Sequence, residues 1–252
     1  MDGVLRPGVS GGLPGGFVNE VVRIGDTVRR PAPPSAPFVR ALLQMLAERQ
    51  WPGAPRFLGI DEHGREIVTF LEGHVAWERV QPPDVYSEAS LVRVAQLVRE
   101  FHDLTSGTDL AGRDEVVCHY DLSPKNTVYR DTGAGLRPVA FIDWDLAAPG
   151  PRVHDLAHVC STYLALGPDV SDIAEAGRMV RVLADAYGLA DRSALPDTIA
   201  WVQDRCWRGI EADADAGIPG AIRMREVGIA QEVRDCHQWT LDSLPSLRQA
   251  LA

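Results

Sequence analysis

Residues His119 to Asp145 read HYDLSPKNTVYRDTGAGLRPVAFIDWD. Three oxygen-bearing side chains define the stretch: Asp121, Asn126 five positions later, and Asp143 at the end of an apolar run. Transfer of a phosphoryl group from a nucleotide needs a carboxylate to take the proton of the acceptor hydroxyl. It also needs hard oxygen ligands for the divalent ion that offsets the charge of the phosphates. Asp121, Asn126 and Asp143 supply that set, with Mg2+ as the fitting ion. HxDxxxxN alone is a weak signal, since three fixed letters recur in roughly a few per cent of chains this long. The segments between the motif halves carry more weight. Thr127 to Arg130 and Pro138 to Ile142 flank the turn-rich DTGAG and read as a β-hairpin, which would set Asn126 beside Asp143. The competing reading makes HYD and IDWD ordinary loop residues that cap turns and pair with arginines.

With HYDLSPKN, FIDWD and then APGPRVHDLAHV in order, the chain resembles the aminoglycoside phosphotransferase and choline kinase group of kinase-like small-molecule phosphotransferases. Members usually read HGDLxxxN, a strand ending IDWD or IDWE, a glycine and proline turn, and an Asp-Leu-Ala that opens a helix. The resemblance implies an α+β, protein-kinase-like fold with a small β-rich N-terminal lobe and a larger, mostly helical C-terminal lobe. It divides the chain into a nucleotide-binding lobe with its hinge, residues 1–73, and a catalytic and substrate-binding lobe, residues 74–252. Carried over by position, Asp121 would be the catalytic base and Asn126 and Asp143 the metal ligands. Asp155 would be a buried carboxylate bracing the loop through His119, with Asp145 in support. The cofactors implied are ATP, or GTP, and Mg2+. Tyr120 stands where the family has glycine, and its ring either narrows the acceptor site or packs against the following helix.

The composition, 252 residues at 45% hydrophobic and 24% charged, fits two lobes around one cleft. The sequence has no apolar run near eighteen residues, and MDGVLRPGVSGG lacks the basic-then-apolar pattern of a secretory signal, so a cytoplasmic protein without a membrane partner is expected. Cys118, Cys160, Cys206 and Cys236 are widely spaced and read as reduced structural thiols. A net charge of −10 argues against nucleic acid as a partner. It favours a small cationic acceptor such as an aminoglycoside, in an antibiotic-resistance role. Glu211, Asp213 and Asp215 are the candidate wall of such a pocket or, in the plainer reading, a solvated helix face.

The N-terminal stretch alternates as strands over Phe17 to Ile24 and Thr27 to Arg30 around Gly25-Asp26. Ser10 to Gly16, SGGLPGG, is a candidate phosphate loop without GxGxxG spacing, or a tail. Pro37 to Gln50 has a helical period, Arg56 to Ile60 and Glu66 to Leu71 read as strands, and Glu72-Gly73 is the expected adenine hinge. This lobe has no lysine; Lys125 is the only one in the chain. Kinases hold the α and β phosphates with a strand lysine paired to a helix glutamate. Here Arg29 or Arg30 must serve, and strand alternation lets only one face the cleft. The helix has no glutamate near Val39 or Arg40, where the partner belongs, only Glu48 at its end.

Tyr86 to Leu104 reads as a long amphipathic helix carrying His102 in a packing role. From His154 onward the pattern is helical, with breaks at Gly167-Pro168, Gly188 to Pro196 and Gly217 to Gly220, and Trp201, Trp207 and Trp239 read as core residues, or one of them, facing the cleft, as a platform that stacks on a sugar. Two functions follow from these features. One is a phosphotransferase to a small hydroxyl acceptor. The other is a degenerate relative that binds a nucleotide or small molecule in an immunity or sensing role, for which the missing lysine speaks.

Overall fold

In the computed structural model, which describes residues 11–12, 21–78 and 80–252, the N-terminal part is a five-stranded antiparallel sheet. Its strands are β1 (Gly11–Gly12), β2 (Val22–Ile24), β3 (Thr27–Arg30), β4 (Phe57–Ile60) and β5 (Glu66–Thr69), in the order β1-β2-β3-β5-β4. Gly25, at φ 60°, closes the β2–β3 turn in a left-handed conformation that glycine adopts without steric cost. Apart from Gly11–Gly12, the expected phosphate loop lies outside the described residues, as does the start of the strand expected from Phe17. Between β3 and β4 runs α1 (Ala36–Glu48). Pro37 sits in its first turn, where a missing N–H is harmless, and Val39, Leu42, Leu43 and Leu46 make its buried stripe.

The rest is larger and mostly helical. It comprises β6 (His74–Val75), α2 (Glu88–Thr105), β7 (Val116–Cys118), β8 (Thr127–Asp131), β9 (Leu136–Phe141), β10 (Ala148–Gly150), α3 (Arg152–Tyr163), α4 (Ile173–Tyr187), α5 (Leu195–Asp215), α6 (Pro219–Glu226) and α7 (Ile229–Leu251). The expected hairpin is β8–β9, with β6 on its outer edge, and β7 pairs with β10. Helix boundaries follow local chemistry. Ser87 caps α2 by accepting from the Ser90 amide, and Asp172 caps α4 through the amides of Ala174 and Glu175. Gly188 ends α4 at φ 76°. Gly228 adds a break between α6 and α7 that the sequence pattern had not suggested.

α2 is the spine of the core. It packs on α3, α4, β7 and β9, and Leu91, Val94, Leu97, Val98 and Phe101 are buried along one face. Phe101 lies between Trp51, stacked at 6.0 Å, and Trp144, edge-on at 4.9 Å. Trp144 is the tryptophan of IDWD, so the residue between Asp143 and Asp145 is anchored in the main core. Among the described residues, no helix is long and apolar enough to cross a membrane. Truncating a fully buried ring removes apolar contact and leaves a cavity. Phe101→Ala should therefore lower the unfolding free energy by about 4 kcal/mol in a denaturant titration.

Candidate active site

The loop from β7 to β8 carries the first half of the motif. Tyr120 has φ 62°, a left-handed backbone that accounts for the glycine usual at this position. Asp121 follows, and Pro124–Asn126 form one 3-10 turn. The Asn126 side-chain nitrogen donates to Asp121 twice, to Oδ2 at 2.7 Å and to the carbonyl at 2.8 Å. Its Oδ1 is thereby left as the atom to offer a cation. The Ile142 amide donates to the Asn126 carbonyl at 2.9 Å, so the end of the hairpin brings the two motif halves together. Asp143 adopts φ 64°, which turns the chain immediately after β9 and Ile142.

Asp155, fully buried on α3, holds this loop. It accepts from the His119 amide at 2.7 Å, from the Tyr120 amide at 2.9 Å and from His102 Nε2 at 3.1 Å. Burial by itself would raise its carboxyl, but the hydrogen bonds and the charges around it hold it below the usual carboxylate range. The expected brace through His119 is thus made by its backbone and not by its ring. The ring has another task. Burial keeps it neutral, Nε2 donates to the Ile142 carbonyl at 3.1 Å, and Nδ1 accepts from the Asp121 amide at 3.3 Å. One imidazole therefore ties the residue before Asp143 to Asp121 itself. His102, read from the sequence as packing, also has its Nδ1 2.7 Å from the Tyr187 hydroxyl. Cys118 lies near His102 and Asp155, but its thiol donates to the Pro151 carbonyl at 3.3 Å, and burial drives its pKa far up. That makes the group a structural network.

The site's charge is concentrated at Asp143. Its side chain is open to solvent although protein atoms crowd around it. Desolvation there, with the charges of Asp145 and Asp121, pushes its carboxyl up to about 6, against the pull of Arg30 and Lys125. Converging carboxylates with an amide oxygen form a hard-oxygen set that suits Mg2+.

Arg30 and Arg29 point to opposite faces of β3. Arg30 reaches Asp145 at 2.6 Å and Glu66 at 3.0 Å. Arg29 bonds the Thr27 hydroxyl at 2.6 Å and approaches Asp61 at 3.9 Å, which takes it away from the expected phosphate contact. The missing helix glutamate has a counterpart in reversed polarity. Glu66 on β5, 1% exposed, accepts from Arg30 and also from Arg40 of α1 at 2.7 Å. Sequence reasoning missed Glu66, although an acid in phase with Val68 on the buried face of a strand was a visible signal. Ser35 adds a bond to the Asp145 carbonyl at 2.8 Å, so Asp145 joins the sheet region to the loop after β9. At the expected hinge, the Glu72 carbonyl accepts from Arg130 at 2.8 Å and its carboxylate pairs with Arg23 at 2.5 Å. Gly73 is required by packing: at φ 153°, a Cβ would stand 2.6 Å from the Tyr129 carbonyl oxygen.

Tyr120 packs. Its hydroxyl lies 2.9 Å from His154 Nδ1, against Gly150, where a Cβ would come within 2.1 Å of it. Trp201 departs from the core reading, being 42% exposed and stacked on His154. Two of the three candidate acids are engaged, since Arg225 pairs with Asp215 at 2.7 Å and Glu211 at 3.5 Å. The solvated-face reading of that cluster is the better one.

Asp143 generates a stability test. Its folded pKa lies above its unfolded value, so its ionised form destabilises the fold above about pH 6, and the penalty shrinks as pH falls toward the ordinary Asp range. Asn is neutral and tolerates φ 64°. Without added metal, Asp143→Asn should melt at a higher temperature than the wild type at pH 7.5, with the difference vanishing below about pH 4.

A family model described as the phosphotransferase enzyme family matches residues 106–198, which contain the loop of Asp121, the β8–β9 hairpin and α3. The trifolitoxin immunity protein of Rhizobium leguminosarum bv. trifolii is 32% identical over 203 residues, covering 71% of this chain and 74% of that protein. Among solved structures, the GDP complex of aminoglycoside 2′-phosphotransferase-IIIa superposes with a TM-score of 0.55 at 13% identity, covering 97% of this chain and 94% of the other. An ethanolamine kinase of Plasmodium vivax gives 0.53 at 15% identity, covering 96% and 76%. These two likenesses establish the kinase-like fold. With its catalytic-loop segment matched by the family model and its sequence related over most of the immunity protein's length, the chain belongs to the phosphotransferase enzyme family.

Proposed function

We propose that the protein transfers the γ-phosphoryl group of ATP or GTP to a hydroxyl of a small-molecule acceptor in the cytoplasm. The observation that carries this reading is the set of Asp121, Asn126 and Asp143, the first two joined by a direct side-chain hydrogen bond and the third brought beside them by the bonds of the preceding Ile142 to Asn126 and to the His119 ring. Asp121 takes the proton as the acceptor oxygen bonds to the γ-phosphorus and the bond to the nucleoside diphosphate breaks. Asn126, polarised by its bonds to Asp121, and Asp143 would hold Mg2+, which supplies charge neutralisation to the phosphates. Arg30, held by Glu66 and Asp145, in this reading meets the nucleotide phosphates, and Arg29, turned to Thr27 and Asp61, does not. In this reading, residues 1–73 contribute the nucleotide side of the cleft and residues 74–252 the catalytic side. The GDP bound to a structural relative supports a nucleotide here and keeps GTP as an alternative to ATP.

The kinship with an immunity protein favours a second reading, protection against a toxic compound. Phosphorylating a hydroxyl of such a compound would serve that role, and so would binding it without transfer. The commitment of Arg30 to two carboxylates is the feature that favours binding alone.

Calorimetry with ATP, with and without Mg2+, separates the roles. Asp143→Ala should abolish the metal-dependent part of nucleotide binding. Asp121→Asn should bind nucleotide like the wild type while transfer, followed as the phosphate ester by 31P NMR, falls roughly 10²–10⁴-fold. Equal damage to binding by both substitutions would refute the assignment. Metal-dependent binding with no transfer to any acceptor would favour the second reading.

A further inference from the structure

We propose that Arg205 on α5 selects an acceptor that carries an anionic group besides its hydroxyl, so that the preferred substrate is a hydroxy acid and not a polycation. The proposal rests on the phosphotransferase reading, because it concerns the acceptor side of the same loop.

α5 packs on α3 and presents Trp201 and Arg205, one turn apart on one face. The Trp201 ring stacks on His154 at 4.3 Å and 28°. The Arg205 guanidinium lies 4.7 Å from the centre of the Tyr120 ring and 5.6 Å from that of Trp201. Tyr120 directly precedes Asp121, so this cationic and aromatic surface adjoins the proposed base. The charges of Asp121, Lys125 and Arg205 are all felt at Cys206 and at His158, which places them around one region.

The charge of that region is opposite to what a polyamine needs. Among the described residues, Arg205 and Lys125 make no ion pair and no side-chain hydrogen bond, whereas four of the five acids along α5 are engaged, Asp197 with Arg248, Asp204 with Arg208 at 2.8 Å, and Glu211 and Asp215 with Arg225, and only Asp213, toward the helix's far end, is not. Burial keeps His154 and His158 below the ordinary histidine range, so they add no charge near neutral pH. In a chain of net charge −10, two cations without partners therefore stand beside the base, while Asp155 is committed to the loop amides and His102, and Asp114 and Glu115 act on the far side of His154. An aminoglycoside would meet a like charge there. A carboxylate would gain two parallel charge-assisted hydrogen bonds from the guanidinium, and a flat group attached to it could stack on the exposed Trp201 ring.

Three probes of one skeleton test the inference: 3-(hydroxymethyl)benzoate, 3-(hydroxymethyl)benzamide and 3-(hydroxymethyl)benzylamine. Ligand-observed NMR titrations of the full-length protein with Mg2+ and a non-hydrolysable ATP analogue should rank the benzoate at least about tenfold tighter than the benzylamine. Arg205→Ala should erase that preference, and Arg205→Lys, which keeps the charge without the fork, should retain part of it. Equal or tighter binding of the benzylamine, a preference that survives in Arg205→Ala, or no binding by any of the three would overturn the proposal. Repeating the series with ATP and detecting the phosphate ester by 31P NMR separates the two levels. Benzoate-selective binding with no ester under any condition counts against the phosphotransferase reading and leaves the anion preference standing. Ester formed preferentially on the benzylamine counts against the anion preference alone.

Discussion

The site depends on the carboxylate of Asp155. A charge removed entirely from water persists only if its oxygens are fully engaged, and here two consecutive backbone amides and His102 engage them. Those amides belong to His119 and Tyr120, whose conformations aim Asp121. Holding Tyr120 in a left-handed backbone is unfavourable for a residue with a side chain, and the Asp155 bonds, together with the tyrosine's packing against Gly150 and His154, maintain it. The candidate catalytic loop is in this sense an extension of α3. Thr162 and Tyr163, further along that helix, bond the Leu122 carbonyl and Thr127.

A second constraint links the two parts of the protein. Asp145 accepts from Arg30, its carbonyl accepts from Ser35, and the preceding Trp144 is locked into the core with Phe101. The end of β9, where the proposed metal ligand Asp143 follows, is thus fastened to the sheet region on one side and to the helical region on the other. Exchanging a lysine and helix glutamate for Arg30, strand Glu66 and helix Arg40 preserves a buried ionic link between β3 and α1 while placing its negative charge on the strand. The guanidinium fork suits this arrangement because it can meet Glu66 and Asp145 at once.

Membership in a phosphotransferase family supports the proposed reaction class, and in that reading the side chains around Asp121 select the acceptor. The strong overall negative charge pointed to a cationic acceptor. The local distribution reads differently, because most acids of α5 are paired with arginines while, among the described residues, Arg205 and Lys125 have no acid partner. A net charge describes how a protein attracts ligands over distance, whereas a site is decided by the few charges that lack partners within it.

The sequence by itself determined the order of elements and the chemistry-bearing residues. The spacing of Asp121, Asn126 and Asp143, the DTGAG turn and the helical periods of α1 and α2 are local properties of the chain, and local patterns survive into the fold. Only the tertiary structure decided which of Arg29 and Arg30 reaches Asp145, because alternation says that they oppose each other but not which side the helix will cover. It alone showed that Glu66 replaces the missing helix glutamate, that Asp155 acts through backbone amides, and that Arg205 adjoins the loop. Each of those facts joins residues from about 26 to 115 positions apart. Contacts at such separations are set by how helices and sheets pack, and packing is not written in the spacing of any one segment.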